Sequence, residues 1–425
     1  MIQKSDQSIF ISIASYRDPE LLLTIQDCLN KAANPNNIHF GICWQRDETE
    51  DLSSIKHKNM QIFECDWRES KGACWARHLI QKHFYNDETY YLQLDSHHRF
   101  IKHWDIALIN LLNLLKVNHP KPIIGSYATT YWPNDTEKDL QNAPYKINTF
   151  DSFTDDGDLV SCPKAIKNFE SNKDLLIPAR LLSGHFIFSD GHFVTSCPYD
   201  PNYYFRGEEL VLSARAYTHG YDFFHPTKTL IWHEYLRKEK NKHWDDHKKD
   251  NGFVVEAESR NIKSKARQRQ LFFMDRREFD FKQYDFGTER SLHEYELYAG
   301  IDFQKRRVHK YCVDLRDNSP HPYVMSEDEW NSGMLHKYEI EVEWDLSKID
   351  PETDYDFWFF GFENDKGELL YRKDFTNEDR FYDQFFTKQT NRFKPSFSSE
   401  AKPTKCIIIP HSKSKGWKDR VVIPC

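Results

Sequence analysis

Asp95 and His97 are one residue apart, directly after the apolar run YYLQL at residues 90–94. Side chains two apart on extended backbone point to the same side, so both can enter one cleft while Ser96 points away. A carboxylate beside an imidazole is part of a shell for manganese or a similar divalent ion. That shell needs more ligands. His233, at the end of the run TLIWHEY, is the candidate third, and a nucleotide diphosphate would complete it. Glu208 and Glu209 follow Gly207 at an expected helix start. Their carboxylates suit sugar hydroxyls, or positive charge developing at a reacting carbon. Each feature also has a plainer reading. Asp-Ser is a common turn pair, acidic residues are favoured in a helix's first turn, and a strand-end histidine often only packs. The same holds for His98, which is expected to hydrogen-bond locally.

The elements that position these residues give them their weight. SIFISIA at residues 8–14 is a continuous apolar, β-branched run, as in a parallel strand buried on both faces. The spacing in ELLLTIQDCLNKAA predicts a helix, with Pro19 where a first turn tolerates it. IHFGICWQ reads as a second strand, KGACWARHLIQKHFY as a helix opened by Gly72, and TYYLQLDSH as a third strand. This β-α-β-α-β order predicts a Rossmann-like, mostly parallel α/β sheet. Ligands of such sheets sit beyond the carboxyl ends of the strands. Ser15 to Asp18, Trp44 to Arg46 and Asp95 to His98 all fall there. IKHWDIALINLLNLLKVN predicts another helix and KPIIGSYATTYW another strand. Residues 133–178 are polar and turn-rich and read as a long loop, a candidate lid or acceptor-binding segment. The charged stretch at 237–290 reads as solvated helix or loop surface.

The chain has 425 residues, which suggests two domains. From about residue 305 the texture changes to short alternating strands, KYEIEVEWDL, YDFWFFGFEND, LLYRKDF and TKCIIIP. That predicts a β-sandwich over 305–425 after a catalytic α/β domain over 1–304. The aromatics of the second strand suit either sandwich core or a carbohydrate-binding platform. The net charge of −8 gives no basic footprint for nucleic acid. No run is long and uncharged enough for a membrane span, and the N-terminus runs into a strand without a signal-peptide pattern. The nine cysteines are scattered with no CxxC pair. Reduced thiols in a cytoplasmic protein are therefore expected, and a cysteine–zinc site is not.

The blocks FISIASYRDPELLLTIQDCL, KGACWARHLIQ, LQLDSHHRF, RGEELVLSARAYTHGYDFFHP, WHEY and SLHEYELYAGIDF, in that order across residues 8–304, resemble a known family. It is the cytoplasmic N-acetylglucosaminyltransferases that modify hydroxyproline on a protein, with their bacterial relatives. The chain is more distantly similar to the mucin-type polypeptide N-acetylgalactosaminyltransferases. The resemblance implies a GT-A fold, a UDP-sugar donor and retention of anomeric configuration. By that resemblance Asp95, His97 and His233 bind Mn2+ (or Mg2+), and Glu208 contacts the donor sugar. Glu209 stands where the distant relatives carry asparagine. Ser15, Tyr16 and Arg17, with Trp44 and Gln45, lie where such a fold receives uridine. Arg77 is a candidate to add charge at the pyrophosphate or, equally, a surface ion pair. Asp18, before Pro19, is either a helix N-cap or a ligand.

The expectation is therefore a metal-dependent retaining glycosyltransferase. It moves GlcNAc from UDP-GlcNAc to a hydroxyl on a protein or a glycan, and Asp95, Glu208 and Glu209 carry the chemistry. Two alternatives are a non-catalytic carbohydrate-binding protein on a transferase fold, and transfer of another UDP-sugar to a surface polysaccharide. A metal hydrolase would need a denser ligand set and a water-activating base.

Overall fold

The computed structural model describes residues 7–425 apart from 126, 137–145, 155–156, 166–176, 206, 227, 238–239, 273–279, 314–323, 346–353 and 377–391. The chain opens with β1 (Ile9–Tyr16), α1 (Leu21–Lys31), β2 (Ile38–Arg46), β3 (Met60–Asp66), α2 (Ala73–Phe84) and β4 (Tyr90–Asp95). β3, β2, β1 and β4 pair in parallel in that spatial order. After β5 (His98–Phe100) and α3 (Trp104–Leu115) come β6 (Pro122–Gly125), β7 (Thr129–Thr130), β8 (Lys146–Phe153), β9 (Leu159–Ala165), β10 (Ile177–Pro178) and β11 (Phe186–Asp190). Then follow α4 (Glu208–Thr218), β12 (Asp222–His225), β13 (Ile231–His233), α5 (His243–Asp246) and α6 (Ala257–Phe272). The main sheet has eight strands in the order β10-β12-β6-β11-β4-β1-β2-β3. Within it β11 runs antiparallel to β4 and β6, and β10 antiparallel to β12.

Both faces of this sheet are covered, which is why its strands read as unbroken apolar runs. Ile11, Ile13, Leu92 and Leu94 pack with Leu21, Ile25, Trp104 and Leu108 of α1 and α3. Phe10, Cys43 and Tyr91 pack on the other side with Ala76, Ile80, Leu210 and Ala214 of α2 and α4. Leu92 and Leu94 are wholly buried, each contributing about 1.5–3 kcal/mol. This is the α/β, mostly parallel architecture expected from the sequence.

Three local expectations are corrected. Met60–Asp66 is an additional strand; it is a half-exposed sheet edge and so lacks an apolar run. Residues 133–178 are not one long loop, because β8 and β9 form an antiparallel hairpin there. β8 carries polar residues on both faces, with Asn148 and Thr149 both buried, and a bulge between Phe150 and Ser152 breaks its alternation, which hides the strand period; 137–145 and 166–176 lie outside the described residues. The strand expected at KPIIGSYATTYW is split into β6 and β7, which belong to different sheets.

The C-terminal region is strand-rich, as expected. β14 (Ile301–Asp302), β15 (Arg307–His309), β16 (Met334–Glu339) and a later strand, Ser396–Ser399, form a four-stranded sheet. The β14–β15 hairpin crosses residue 304, and Val308 and Cys312 join the core of the first region. β17 (Val342–Glu343), β18 (Tyr355–Glu363), β19 (Leu369–Thr376), β20 (Arg392–Phe393), β21 (Ser396–Ser399), β22 (Lys405–Ser412), β23 (Gly416–Trp417) and β24 (Val421–Pro424) complete the chain. Trp358, Phe360 and Phe362 are buried in this region's own core with Phe375, Cys406 and Ile408. The alternate residues Phe357 and Phe359 point outward, to Trp417 and Arg372 respectively.

Candidate active site

The site forms where β1 and β4 end. β4 delivers Asp95, and the chain then turns through Ser96 and His97 into β5. Thr24 of α1 fixes that turn, donating its hydroxyl to the Ser96 carbonyl at 2.8 Å and accepting the His98 N–H at 2.9 Å. This bond is made by the His98 backbone to a residue 74 positions away, so it is not the local side-chain hydrogen bond expected for His98. β13 pairs antiparallel with β5, placing His233 opposite His98. The Glu234 N–H donates to the His97 carbonyl at 3.2 Å. A residue 138 positions from Asp95 thereby has its Nε2 at 3.3 Å from the Asp95 carboxylate.

Asp95, His97 and His233 each offer a ligating atom, all within 4.8 Å of one another. The partners of each group fix which atom faces inward. His97 Nδ1 lies 2.8 Å from Asp18 Oδ2, which leaves Nε2 toward Asp95 Oδ2 at 4.0 Å. Asp18 also accepts the Ser96 hydroxyl and the Glu20 N–H, and pairs with Arg237 at 3.0 Å. It is not the N-cap of α1, a place held by Glu20 without a side-chain cap bond; it fixes the entry to the helix and braces His97. A carboxylate on the second nitrogen of an imidazole is the usual support for a metal-ligating histidine.

Arg77 of α2 donates to Asp95 Oδ1 and to the Gly184 carbonyl, both at 3.0 Å. Holding Oδ1 this way turns Oδ2 toward the two imidazoles. Arg77 is buried, so it is not a surface ion pair; its guanidinium also lies 3.7 Å from Glu208. Burial pushes the Asp95 carboxyl up, but the His233 hydrogen bond and the Arg77 charge outweigh it and hold the group well below the usual carboxylate range. Burial pushes the imidazoles the other way. His233 and His98 fall well below the ordinary histidine value, and His185 falls to about 4. Neutral imidazoles are the form that can ligate a cation. The oxygen and nitrogen donors, their spacing and their protonation fit a divalent ion of the manganese or magnesium kind.

A cleft of about 460 Å³ opens beside this triad, walled by Tyr16, Gln45, Gly72, Tyr204 and residues 241–244. Gly72 has φ +103°, and a Cβ there would lie 2.7 Å from the Tyr204 ring. With ψ 177° this is backbone that essentially only glycine adopts, so a side chain would cost about 1–3 kcal/mol in strain. The other sequence candidates are spread around this centre. Tyr16 borders the cleft and donates to Asp246 at 2.9 Å. Arg17 pairs with Asp47 and Asp246 and borders a neighbouring cavity of about 690 Å³, with Trp67 and Arg68. Its guanidinium lies 4.5 Å from the Trp67 ring centre. Ser15 is wholly buried and Trp44 nearly so; both lie under the strand ends rather than on the cleft wall. Glu208 borders a smaller cavity with Cys74 and Tyr199, one guanidinium behind Asp95. Burial and the neighbouring Glu209 push its carboxyl up to about 8. Glu209 accepts the Gly184 N–H at 2.6 Å, and burial raises it as well.

Sequence reasoning missed two groups of residues here. His185 packs its ring 4.4 Å from His233, and its Nε2 accepts the Ala128 N–H at 3.1 Å; nothing around it in sequence marks it. Arg237 and the segment after it read in sequence as part of a charged run. In fact α5 buries His243 against Tyr16 and stacks it on the buried His247, so this part is not solvated surface.

The model of the family described as "Glycosyltransferase (GlcNAc)" matches residues 8–65 and 51–305 of the chain. Among solved structures, S. aureus TarS 1–349 is similar at 11% identity and TM-score 0.34, over 53% of this chain and 60% of that one. The same TarS segment in complex with UDP gives 12% identity and TM-score 0.32, over 54% and 60%. GalNAc-T7 with UDP, GalNAc and Mn2+ gives 10% identity and TM-score 0.47, over 98% and 72%. The chain thus spans about three fifths of the TarS segment. No curated protein matches it. Among the described residues no helix is long and apolar enough to cross a membrane.

Proposed function

The chain belongs to the GlcNAc glycosyltransferase family, and on that premise we propose that it moves N-acetylglucosamine from UDP-GlcNAc to a hydroxyl of a protein or glycan acceptor. The transfer retains anomeric configuration, in keeping with the resemblance in sequence. The observation that carries this reading is the convergence of Asp95, His97 and His233 beside an open cleft at the strand ends. These three residues would hold Mn2+ or Mg2+. Bound there, the ion would neutralise charge that develops on the diphosphate as the sugar leaves.

The chain's own residues do the rest. Asp18 holds the Nδ1 side of His97, and Arg77 holds one oxygen of Asp95. Glu208 braces the Arg77 guanidinium from behind at 3.7 Å, which makes it a positioning residue. Tyr16 and Arg17, on the wall between the two cavities, support a nucleotide on that side. Ser15 and Trp44 back that wall from beneath. The departing phosphate itself takes the acceptor proton. A cytoplasmic setting is part of the proposal, supported by nine unpaired thiols.

The test is a thermal-shift screen of UDP-GlcNAc, UDP-GalNAc and UDP-glucose with Mn2+ or EDTA, followed by radiolabelled transfer. A metal-dependent shift with UDP-GlcNAc is expected. Asp95→Ala should cut metal-dependent turnover by about 10²–10⁴-fold while the protein stays folded. Undiminished turnover in that variant would discard the metal assignment.

A further inference from the structure

Phe205 and Trp244 are large apolar side chains left exposed, at 46% and 39%, on the wall of the cleft that holds the triad. Their ring centres lie 4.8 Å apart, tilted by 47°. They come from two distant segments, one before α4 and one within α5. The residues next to them tie the segments together: the Tyr204 hydroxyl meets His243 Nδ1 at 2.6 Å. α5 is anchored again where Tyr16 and Arg17 hold Asp246 at 2.9 and 3.0 Å. The exposed rings are therefore held in place rather than merely left over at the surface.

An aromatic pair in a fixed position recovers its exposure cost only when something flat and partly apolar covers it. Asn241 and Lys242 border the same cleft and supply amide and ammonium donors. Ring faces flanked by such donors match a sugar ring, whose C–H face stacks while its hydroxyls reach the polar rim. None of β1, β4 and β13 offers the open edge that an extended peptide would use, and the edge strands of the small sheet, β5 and β7, are only three and two residues long. β13 is paired on one side with β5 and on the other with β7, and β1 and β4 are interior strands.

We propose that Phe205 and Trp244 form the acceptor subsite and that the acceptor presents a pyranose hydroxyl to the cleft. This rests on the transferase reading above. In the step, the bond from the anomeric carbon to the phosphate oxygen breaks and a bond to the acceptor oxygen forms. The hydroxyl proton passes to the phosphate, which leaves as UDP.

The experiment supplies the full-length protein with Mn2+ and UDP-GlcNAc. Methyl glycosides of glucose, galactose, mannose and xylose are compared with a hydroxyproline-containing peptide. Transfer to at least one glycoside is expected. Phe205→Ala and Trp244→Ala should each raise the KM for that glycoside about tenfold, with the KM for UDP-GlcNAc within about twofold. Trp244→Phe should restore most of the loss. Transfer to the peptide alone, to none of the glycosides, or with unaltered glycoside KM in both alanine variants would overturn the assignment. Mn2+-dependent binding of UDP-GlcNAc, read as a thermal shift, separates the two readings. Its absence in the unaltered protein, with no transfer to any acceptor, counts against the transferase itself, whereas its presence with any of those outcomes removes only the acceptor subsite.

Discussion

Around Asp95 the protein packs the imidazoles of His97, His98, His185 and His233 with the guanidinium of Arg77 and the carboxylate of Asp18, all largely out of water. Across β18 and β22 it packs Trp358, Phe360, Phe362, Cys406 and Ile408, and the charged residues of those strands stay at the surface. Both regions are dense, yet they are stabilised in different ways. A buried polar group costs free energy unless a partner meets it, so the charged groups in the cleft are tied to others: Asp18 to His97 and Arg237, Asp95 to Arg77 and His233, while the Nδ1 of His233 is buried without a hydrogen-bond partner. The C-terminal sheet gains stability simply by removing rings from water. A cleft of the first kind is built at the expense of stability, and the apolar cores elsewhere offset that cost.

This contrast predicts that stability and chemistry separate by region. The largest effect on folding should come from Trp358→Ala, at about 3–5 kcal/mol in chemical denaturation, with donor turnover per folded molecule unaltered. A matching loss of turnover would show that the two regions are coupled. Next is Asp18→Asn, which keeps the shape but removes the charge behind His97. Calorimetric titration with Mn2+ should show affinity lowered about 10–100-fold, and unchanged affinity would remove Asp18 from the metal's support. A separate effect, read against pH, concerns Glu208. Its carboxyl is raised from 4.5 to about 8 in the folded protein. The stability this group lends is therefore complete below about pH 4.5 and lost as pH rises through about 8. Melting curves of Glu208→Gln should gain on the unaltered protein between about pH 5 and 9. Parallel curves over that range would mean that Arg77 already keeps Glu208 ionised.

How much of this could be read in the chain depends on the distance over which each feature is encoded. The D-S-H spacing marks Asp95 and His97 as neighbours at one strand end, but a bend at Ser96 rather than strand alternation brings them together, and Ser96 does not point away: its hydroxyl meets the same Asp18 carboxylate as His97. Gly207 marks the start of α4 because φ +83° favours glycine. The aromatic run of β18 alternates, so its odd and even members were bound to face opposite ways, and the interior took Trp358, Phe360 and Phe362. By contrast, β3 escaped notice because an edge strand needs no continuous apolar run. His185 and Arg237 escaped because their neighbours in sequence are not their neighbours in space. Ser15 and Trp44 stand at strand ends as expected, yet they face inward.

The sequence alone determined the α/β class, the strand ends as the place for a site, and the local pairing of Asp95 with His97. These depend on backbone periods and apolar patterning that act over a few residues. Only the tertiary structure decided that His233 completes the triad, that Arg77 lies between Asp95 and Glu208, and that α5 forms a wall of the cleft. Those outcomes depend on strand pairing and packing between segments a hundred or more residues apart, and no local pattern in a single chain encodes such distances.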